Sequence, residues 1–224
     1  MRDIKVAAVQ FEHAPGDKQA NFSKIRRFVK SASDQGVEII AFPECCITGY
    51  WFMRKLSSQG LRDLAEPVPQ GPSSQALLAL AREFEMTVGA GLVEVDAQGK
   101  LHNTYVVAMP NGELRFHRKI HAFEHDDMVP GSEFTVFDTP HGCRVGVLIC
   151  YDINIKQAQL ELIAGGASRA VGSPHICHNG APSLEGKNCV FCHKPFGPLH
   201  HLDHAPALLG TRANFAAARS SIGR

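Results

Sequence analysis

The 224-residue sequence predicts an α/β fold in which helices and strands form separate layers. Short apolar segments of strand length, rich in Val, Ile and Ala, recur along the chain up to about residue 155. Segments with apolar residues at helical spacing lie between some of them. The hydrophobic content of 44% is sufficient for one sizeable core.

The first elements are a strand, a helix and a second strand. Residues 4–11 are apolar enough for a buried strand. Residues 18–35 carry apolar side chains at every third or fourth position, and Gly36 is a suitable end for this helix. Residues 37–42 predict the second strand, which ends where Pro43 lacks a backbone donor.

One helix and a meander of strands follow. Ser73 and Ser74 are the candidate N-cap residues of the helix. Strands are predicted at 87–95 and 101–109, and Asn-Gly at 111–112 favours a tight hairpin turn into a third strand. The predicted buried face of the helix consists of Leu77, Leu80, Ala81 and Phe84.

Three reactive side chains lie at the ends of predicted strands. Glu44 follows the second strand, Lys119 ends an alternating strand, and Cys150 ends the strand 144–150, which pairs with 134–138. If they meet, the thiolate can attack a carbonyl or nitrile carbon, the carboxylate can transfer the proton, and the ammonium can stabilise the oxyanion. Taken singly, a loop cap, a surface charge and a small buried hydrophobe are the more common roles of such residues.

Four motifs in this order resemble the nitrilase superfamily of carbon–nitrogen hydrolases. They are FPE at 42–44, TGY at 48–50, RKIH at 118–121 and GVLICYD at 146–152. The resemblance is nearly continuous from Met1 to about Ile155. Within the family, CYD is more similar to the amide-hydrolysing branches than to the true nitrilases, in which CWE is more common.

The resemblance implies a role for each of five site residues. Glu44 would be the general base and acid, Lys119 the oxyanion stabiliser and Cys150 the nucleophile. The backbone N–H of Tyr151 would be a second oxyanion donor. Many members have another Glu in the loop after the Lys, and Glu124 is the best candidate for it, with Asp126 as the alternative.

The family also implies an αββα sandwich and a homodimer or higher oligomer. Its substrates would be small-molecule amides, N-carbamoyl compounds or nitriles, and no cofactor or metal is expected. The residues Trp51, Phe52 and Met53 could line a pocket for an apolar acyl group, or they could be core or dimer contacts.

Residues 156–224 depart from this pattern. Apart from a helical segment at 157–163, they are rich in Gly, Pro, His, Ser and Ala and lack sustained strand alternation. The expected division is a hydrolase domain at 1–155 and a divergent tail at 156–224, either disordered or produced by a frameshift. Without strands from the tail, one apolar face of the first sheet would be exposed.

The tail also contains possible metal ligands. Cys177, Cys189 and Cys192, with the neighbouring His178 and His193, have a spacing similar to that of zinc sites. Cys-x-x-Cys-His is also the attachment signature of c-type haem, but the N-terminus shows no signal peptide. The prediction is therefore a tail without a metal.

Composition restricts the partners and the compartment. A net charge of +1 argues against nucleic acid or an anionic membrane as the main partner. No apolar run approaches ~20 residues, the length of a membrane-spanning helix. An odd number of cysteines, seven, predicts free thiols in a reducing cytoplasm. Two hypotheses result: an active cysteine hydrolase, and a truncated, catalytically inactive relative that acts through interactions or has no function.

Overall fold

The computed structural model describes residues 4–167, 169–172, 191–193 and 214–219, and all structural statements concern these residues. The strands are β1 (Lys5–Gln10), β2 (Ile39–Ala41), β3 (Thr87–Val95), β4 (Leu101–Ala108), β5 (Leu114–Arg118), β6 (Val136–Asp138), β7 (Arg144–Leu148), β8 (Arg169–Gly172), β9 (Phe191–His193) and β10 (Asn214–Arg219). The helices are α1 (Lys18–Ser33), α2 (Ser58–Leu64), α3 (Pro72–Glu83) and α4 (Lys156–Ala164), with 3₁₀-helices at Trp51–Lys55 and Cys150–Asn154.

The strands form two sheets. The first sheet has the order β10-β1-β2-β3-β4-β5, in which β1, β2 and β3 are parallel and the remaining pairs are antiparallel. The second sheet has the order β6-β7-β8-β9, with one parallel pair, β7 and β8. The predicted hairpins β3–β4, β4–β5 and β6–β7 are all present.

Apolar side chains fill three interfaces between four layers. Ile25 of α1 and Leu77 of α3 pack with Val88 of β3 on the outer face of the first sheet. Val107 of the first sheet and Val147 of the second belong to the core between the sheets. On the far side of the second sheet, Leu148 packs against Ala158 of α4. The order is therefore helix, sheet, sheet, helix, and the predicted αββα sandwich is confirmed.

The start of α3 differs from the prediction. Ser73 and Ser74 are buried within the helix and are not its N-cap, which is Gly71. Pro72 occupies the first helical position, where its fixed φ fits and its missing N–H is not needed. The Ser73 backbone N–H and hydroxyl both donate to the buried carboxylate of Glu66.

The chain after residue 155 contains more regular structure than predicted. The helical segment expected at 157–163 is α4. Strand β8 extends the second sheet beside β7, and β10 pairs with β1 at the edge of the first sheet. The absence of strands predicted for this part is therefore wrong. Cys177 and Cys189 lie outside the described residues, so the predictions about metal ligands there remain predictions.

Two further expectations concern thiols and membranes. Among the described residues, Cys45, Cys46, Cys143 and Cys150 are buried thiols outside any disulfide, and the neighbours Cys45 and Cys46 are not bonded to each other. Among the described residues, no helix has both the length and the apolar character needed to cross a membrane.

Candidate active site

Glu44 lies in the turn that follows β2. The chain leaves the sheet with the Phe42 N–H donating to the Gly89 carbonyl at 2.8 Å, and it stays close to β3 because the Ile47 N–H donates to the Gly91 carbonyl at 3.1 Å. Cys45 has a left-handed φ of 46°, which is uncommon for a residue with a side chain. This turn places the Glu44 carboxylate in the interior, where the residue is 4% exposed.

Lys119 directly follows β5 and is fixed through its backbone. Its N–H donates to the Asn103 carbonyl at 2.8 Å, and its own carbonyl accepts from the Gly131 N–H at 2.7 Å. The side chain is buried, which is rare for lysine without a partner.

Cys150 begins the 3₁₀-helix after β7, in the second sheet. Its φ is 49°, also in the left-handed region. Non-glycine residues in this region cost free energy and are concentrated at functional sites. The residue is 6% exposed and lies at the edge of the core between the sheets.

The three predicted side chains meet in one cluster. The Lys119 ammonium donates to Glu44 Oε1 at 2.7 Å and also contacts Glu124 Oε1. Asn103 Nδ2 donates to the same Glu44 oxygen at 2.6 Å. The Cys150 thiol is hydrogen-bonded to the Glu44 carboxyl group. The cluster therefore joins residues from both sheets around one cation.

The electrostatics of the cluster keep the thiol protonated and the amine charged. Burial raises the pKa of Glu44 to about 7; the Lys119 ammonium opposes this rise, and the charge of Glu124 adds to it. Burial raises the pKa of Cys150 above that of a free thiol, and the charge of Glu44 adds to the increase. Burial lowers the pKa of Lys119, but the charges of Glu44 and Glu124 outweigh it, so the pKa of Lys119 is raised.

The loop after Lys119 brings Glu124, and not Asp126, into the cluster. Glu124 is buried and its second carboxylate oxygen accepts from the Phe123 N–H at 3.1 Å, whereas Asp126 is exposed. The Phe123 ring lies over Lys119, with 4.5 Å between the ammonium and the ring centroid. The half-exposed side chain of Tyr151 contacts this ring edge to face.

The three apolar residues after TGY have separate positions. Met53 is fully buried and Phe52 is partly buried against the same core cluster. Trp51 is 38% exposed, stacks edge to face on Tyr50, and lies under the Arg54 guanidinium. Phe52 and Met53 are therefore core residues.

Three residues near the site were not identified from the sequence. Asn103 is a buried polar residue within β4, and a strand-depleted Asn in an apolar strand is the signal that could have identified it. The Tyr50 hydroxyl lies in the field of Glu44, Glu124 and Cys150, and burial, followed by these charges, raises its pKa. Asp152 is completely buried and lies two residues after Cys150 in the same 3₁₀-helix.

An αββα sandwich with Glu, Lys and Cys side chains at its strand ends is the architecture expected for the nitrilase superfamily. The sequence model for "Carbon-nitrogen hydrolase" matches residues 5–179, and the chain belongs to this family. The match continues past residue 155, so the family pattern extends farther than the sequence motifs indicated.

Several relatives are named omega-amidases, and one, of Pyrococcus abyssi, is named "Nitrilase". The chain is 35% identical over 197 residues to "Omega-amidase NIT2" of Bos taurus and 33% identical over 196 residues to "Omega-amidase NIT2-A" of Xenopus laevis. Each alignment covers 78% of this chain and 68% of the relative. These relatives support an amidase-type hydrolase.

A solved structure has the same fold. Nit3 of Saccharomyces cerevisiae, a member of branch 10 of the nitrilase superfamily, matches with a TM-score of 0.67 and 29% identity. The match covers 77% of this chain and 64% of that chain. The chain therefore spans about two thirds of the length of the relatives it matches.

Proposed function

We propose that this chain hydrolyses the carbon–nitrogen bond of a small-molecule amide with Cys150 as the nucleophile. The observation that carries this proposal is the meeting of Glu44, Lys119 and Cys150 at the ends of three separate strands. A carboxyl group with a raised pKa, an ammonium and a thiol in one buried cluster are the groups that acyl transfer requires.

The proposed reaction has two halves. Glu44 accepts the Cys150 proton while the sulfur attacks the amide carbon, and Lys119 with the Tyr151 N–H stabilises the oxyanion. Protonated Glu44 then gives its proton to the leaving nitrogen, which departs as ammonia or an amine and leaves a thioester. Glu44 next removes a proton from water, whose oxygen attacks the thioester, and the proton returns to the departing sulfur.

The raised pKa values match this sequence of proton transfers. A base that titrates near pH 7 can both accept and return a proton at neutral pH. Because burial holds the Cys150 thiol in its protonated form, sulfur attack and proton transfer to Glu44 occur together. Glu124 also contacts the Lys119 ammonium, and its charge, together with that of Glu44, keeps the ammonium protonated.

Several relatives are named omega-amidases, so the first substrates to test are small molecules with a terminal amide. Short aliphatic amides, N-carbamoyl compounds and nitriles complete the panel. The buried thiols of the described residues, none of which is in a disulfide, are compatible with the reducing cytoplasm that we also propose as its location. A homodimer or higher oligomer remains a prediction.

The test combines labelling with turnover. Iodoacetamide, which carries both an electrophile and an amide group, should alkylate one equivalent of Cys150, as located by peptide mass spectrometry. Cys150→Ser should fold normally and lose both labelling and ammonia release, because a serine hydroxyl is much less reactive in a site built for a thiol. Cys143→Ala, which changes another buried thiol in the core between the sheets, is the matched control and should retain both.

The alternative of an inactive relative predicts a different outcome. Cys150 would then react no faster than Cys45, Cys46 and Cys143, and no compound of the panel would release ammonia. Loss of thermal stability in Cys150→Ser with unchanged turnover would also contradict the proposal, since it would assign Cys150 to the core alone.

A further inference from the structure

Asp152 connects the two halves of the cluster. Its carboxylate is completely buried and lies two residues after Cys150, in the 3₁₀-helix that follows the second sheet. Within the described part of the chain, three hydrogen-bond donors contact it, and all of them belong to the segment that directly follows Lys119, at the end of the first sheet. The Ile120 N–H donates to Asp152 Oδ2 at 3.1 Å, and the His121 N–H donates to Oδ1 at 3.0 Å. The Nδ1 atom of the His121 ring lies 2.8 Å from the same Oδ1 atom.

Both ends of this connection are rigid. On the Cys150 side, the Asp152 N–H donates to the Ile149 carbonyl and the Asp152 carbonyl accepts from the Ile155 N–H, each at 3.1 Å. At the Lys119 end, the Lys119 N–H donates to the Asn103 carbonyl, and the Lys119 carbonyl accepts from the Gly131 N–H. A carboxylate that bridges two such segments sets their separation, because a buried anion loses stabilisation when any of its donors moves away.

We propose that Asp152 is a positioning residue that holds Lys119 at the separation from Cys150 that oxyanion stabilisation requires. This inference rests on the proposed function. Lys119 and Cys150 follow strands of different sheets. The core between these sheets is apolar, and apolar contacts restrict distance less sharply than hydrogen bonds do. Hydrogen bonds of Thr135 with β5, and of His141 with Thr87, also cross between the sheets, but none of them involves Cys150 or residues 120–121. Neither Glu44 nor Glu124 provides this restraint through the backbone, since both contact Lys119 at the tip of its flexible side chain.

The residues next to Asp152 agree with a structural anion in this position. His117 of β5 is buried with its Nδ1 at 3.1 Å from the Thr135 hydroxyl, and burial lowers its pKa to about 4. The His117 ring is therefore uncharged at neutral pH and does not form an ion pair with Asp152. The donors from residues 120 and 121 are what stabilise it.

Asp152→Asn tests the inference because it keeps the shape and changes the hydrogen bonding. An amide group has one acceptor oxygen, and its NH₂ group would face a backbone N–H that also donates. We expect kcat per folded molecule to fall about 10-fold or more, since a misplacement of about an ångström costs this much or more. KM should stay within about threefold of the wild-type value, because the variant does not change contacts that the substrate makes equally in the ground state and the transition state.

His121→Phe is the second variant. It removes the ring donor to Asp152 but keeps both backbone donors and an aromatic ring beside Tyr151, on a side chain that is 40% exposed. We expect a smaller loss in kcat, about threefold, at normal thermal stability. If Asp152→Asn does not fold, this variant decides alone: a kcat equal to that of the wild type would overturn the inference.

Alkylation of Cys150 by iodoacetamide separates this inference from the proposed function. If the wild-type chain does not label selectively at Cys150, the proposed function fails. If the wild type labels and turns over but both variants keep its kcat and its alkylation rate, only the role of Asp152 fails. A loss that appears only as a smaller fraction of titratable sites, with unchanged kcat per site, would assign Asp152 to folding and would also contradict the inference.

Discussion

At the scale of single residues, the cluster contains two carboxylates and one ammonium with almost no access to water. Burying charged groups costs several kcal/mol for each ion, and the mutual attraction only partly offsets this. The raised pKa of Glu44, about 7, is the direct expression of that cost. A cluster of this kind fits proton transfer better than it fits stability.

Asn103 provides a prediction about the pH dependence of the reaction. Its hydrogen bond to Glu44 stabilises the carboxylate and opposes the rise in pKa. In Asn103→Leu the pKa of Glu44 should therefore rise further, and the acid limb of the kcat/KM profile should move to higher pH by about half a unit or more. The loss in kcat/KM should be larger at pH 6 than at pH 8.

Cys45→Ala is the control for this prediction. The Cys45 thiol donates to Asn103 Oδ1 at 3.3 Å, so this variant removes the other hydrogen bond of Asn103 and leaves the one to Glu44. Its acid limb should stay in place. A uniform loss in Asn103→Leu at every pH would show that Asn103 supports packing and does not tune Glu44.

The sequence predicted Glu44, Lys119, Cys150 and Glu124 as site residues, and the structure brings these four residues together. They could be found because reactive residue types directly after apolar strands form a recognisable pattern. Asn103 and Asp152 could not be found in this way, because their importance lies in which atoms they face across the fold. Spacing along one chain does not contain that information.

At the scale of elements, β3 controls how the Glu44 turn approaches the sheet. A Cβ added at Gly91 would lie 2.3 Å from the Cys45 backbone nitrogen and 3.0 Å from the Glu44 backbone. These atoms are main-chain atoms on a tight turn and cannot rotate away. Gly91 is therefore needed for the contact between β3 and the segment that presents Glu44.

Gly91→Ala should displace Glu44 by roughly an ångström and lower kcat about 100-fold. Turnover per folded molecule, with the folded fraction from circular dichroism, is the measurement. Gly60→Ala, in α2, is the matched control. A Cβ at Gly60 would lie 3.5 Å or more from its nearest neighbours, which is ordinary van der Waals contact. Wild-type turnover in Gly91→Ala would mean that the turn adapts without moving the carboxylate.

Element boundaries show where local patterns stop being sufficient. Strands β3 and β7 and helix α1 begin at the predicted residues, because alternation, helical spacing and caps are local signals. Strands β8 and β10 were missed, since each is stabilised by pairing with a distant strand. The 3₁₀-helix at Trp51–Lys55 was missed because its aromatic sequence has no distinct periodicity.

At the scale of the whole molecule, the site lies where the two sheets meet. The first sheet contributes Glu44 and Lys119, and the second contributes Cys150. The core between the sheets therefore carries both stability and the geometry of the cluster. In the described part of the chain, β6 and β7 cover the inner face of the first sheet, so the exposed apolar face expected from the sequence is not present there.

This location makes the stability of the whole molecule depend on the protonation of Glu44. Because burial raises its pKa from 4.5 to about 7, the folded state holds a proton that the unfolded state has lost between these pH values. The contribution of Glu44 to the free energy of unfolding is therefore fully present below about pH 4.5 and is lost as the pH rises to about 7, above which it no longer changes. Lys119, whose pKa is raised, stays charged throughout this window.

Glu44→Gln should remove this dependence. In urea unfolding between pH 5 and pH 8, the wild type should lose stability relative to the variant, by an amount on the order of 1–3 kcal/mol. His117, whose pKa is lowered to about 4, makes both proteins more stable as the pH rises towards 6.5, so its effect cancels in the difference. Glu113→Gln, at an exposed carboxylate, measures the effect of one surface charge. If the free energy of unfolding changes with pH in the same way for wild type and Glu44→Gln, Glu44 is already ionised at pH 5. Glu44 would then accept the Cys150 proton as a carboxylate whose pKa is not raised.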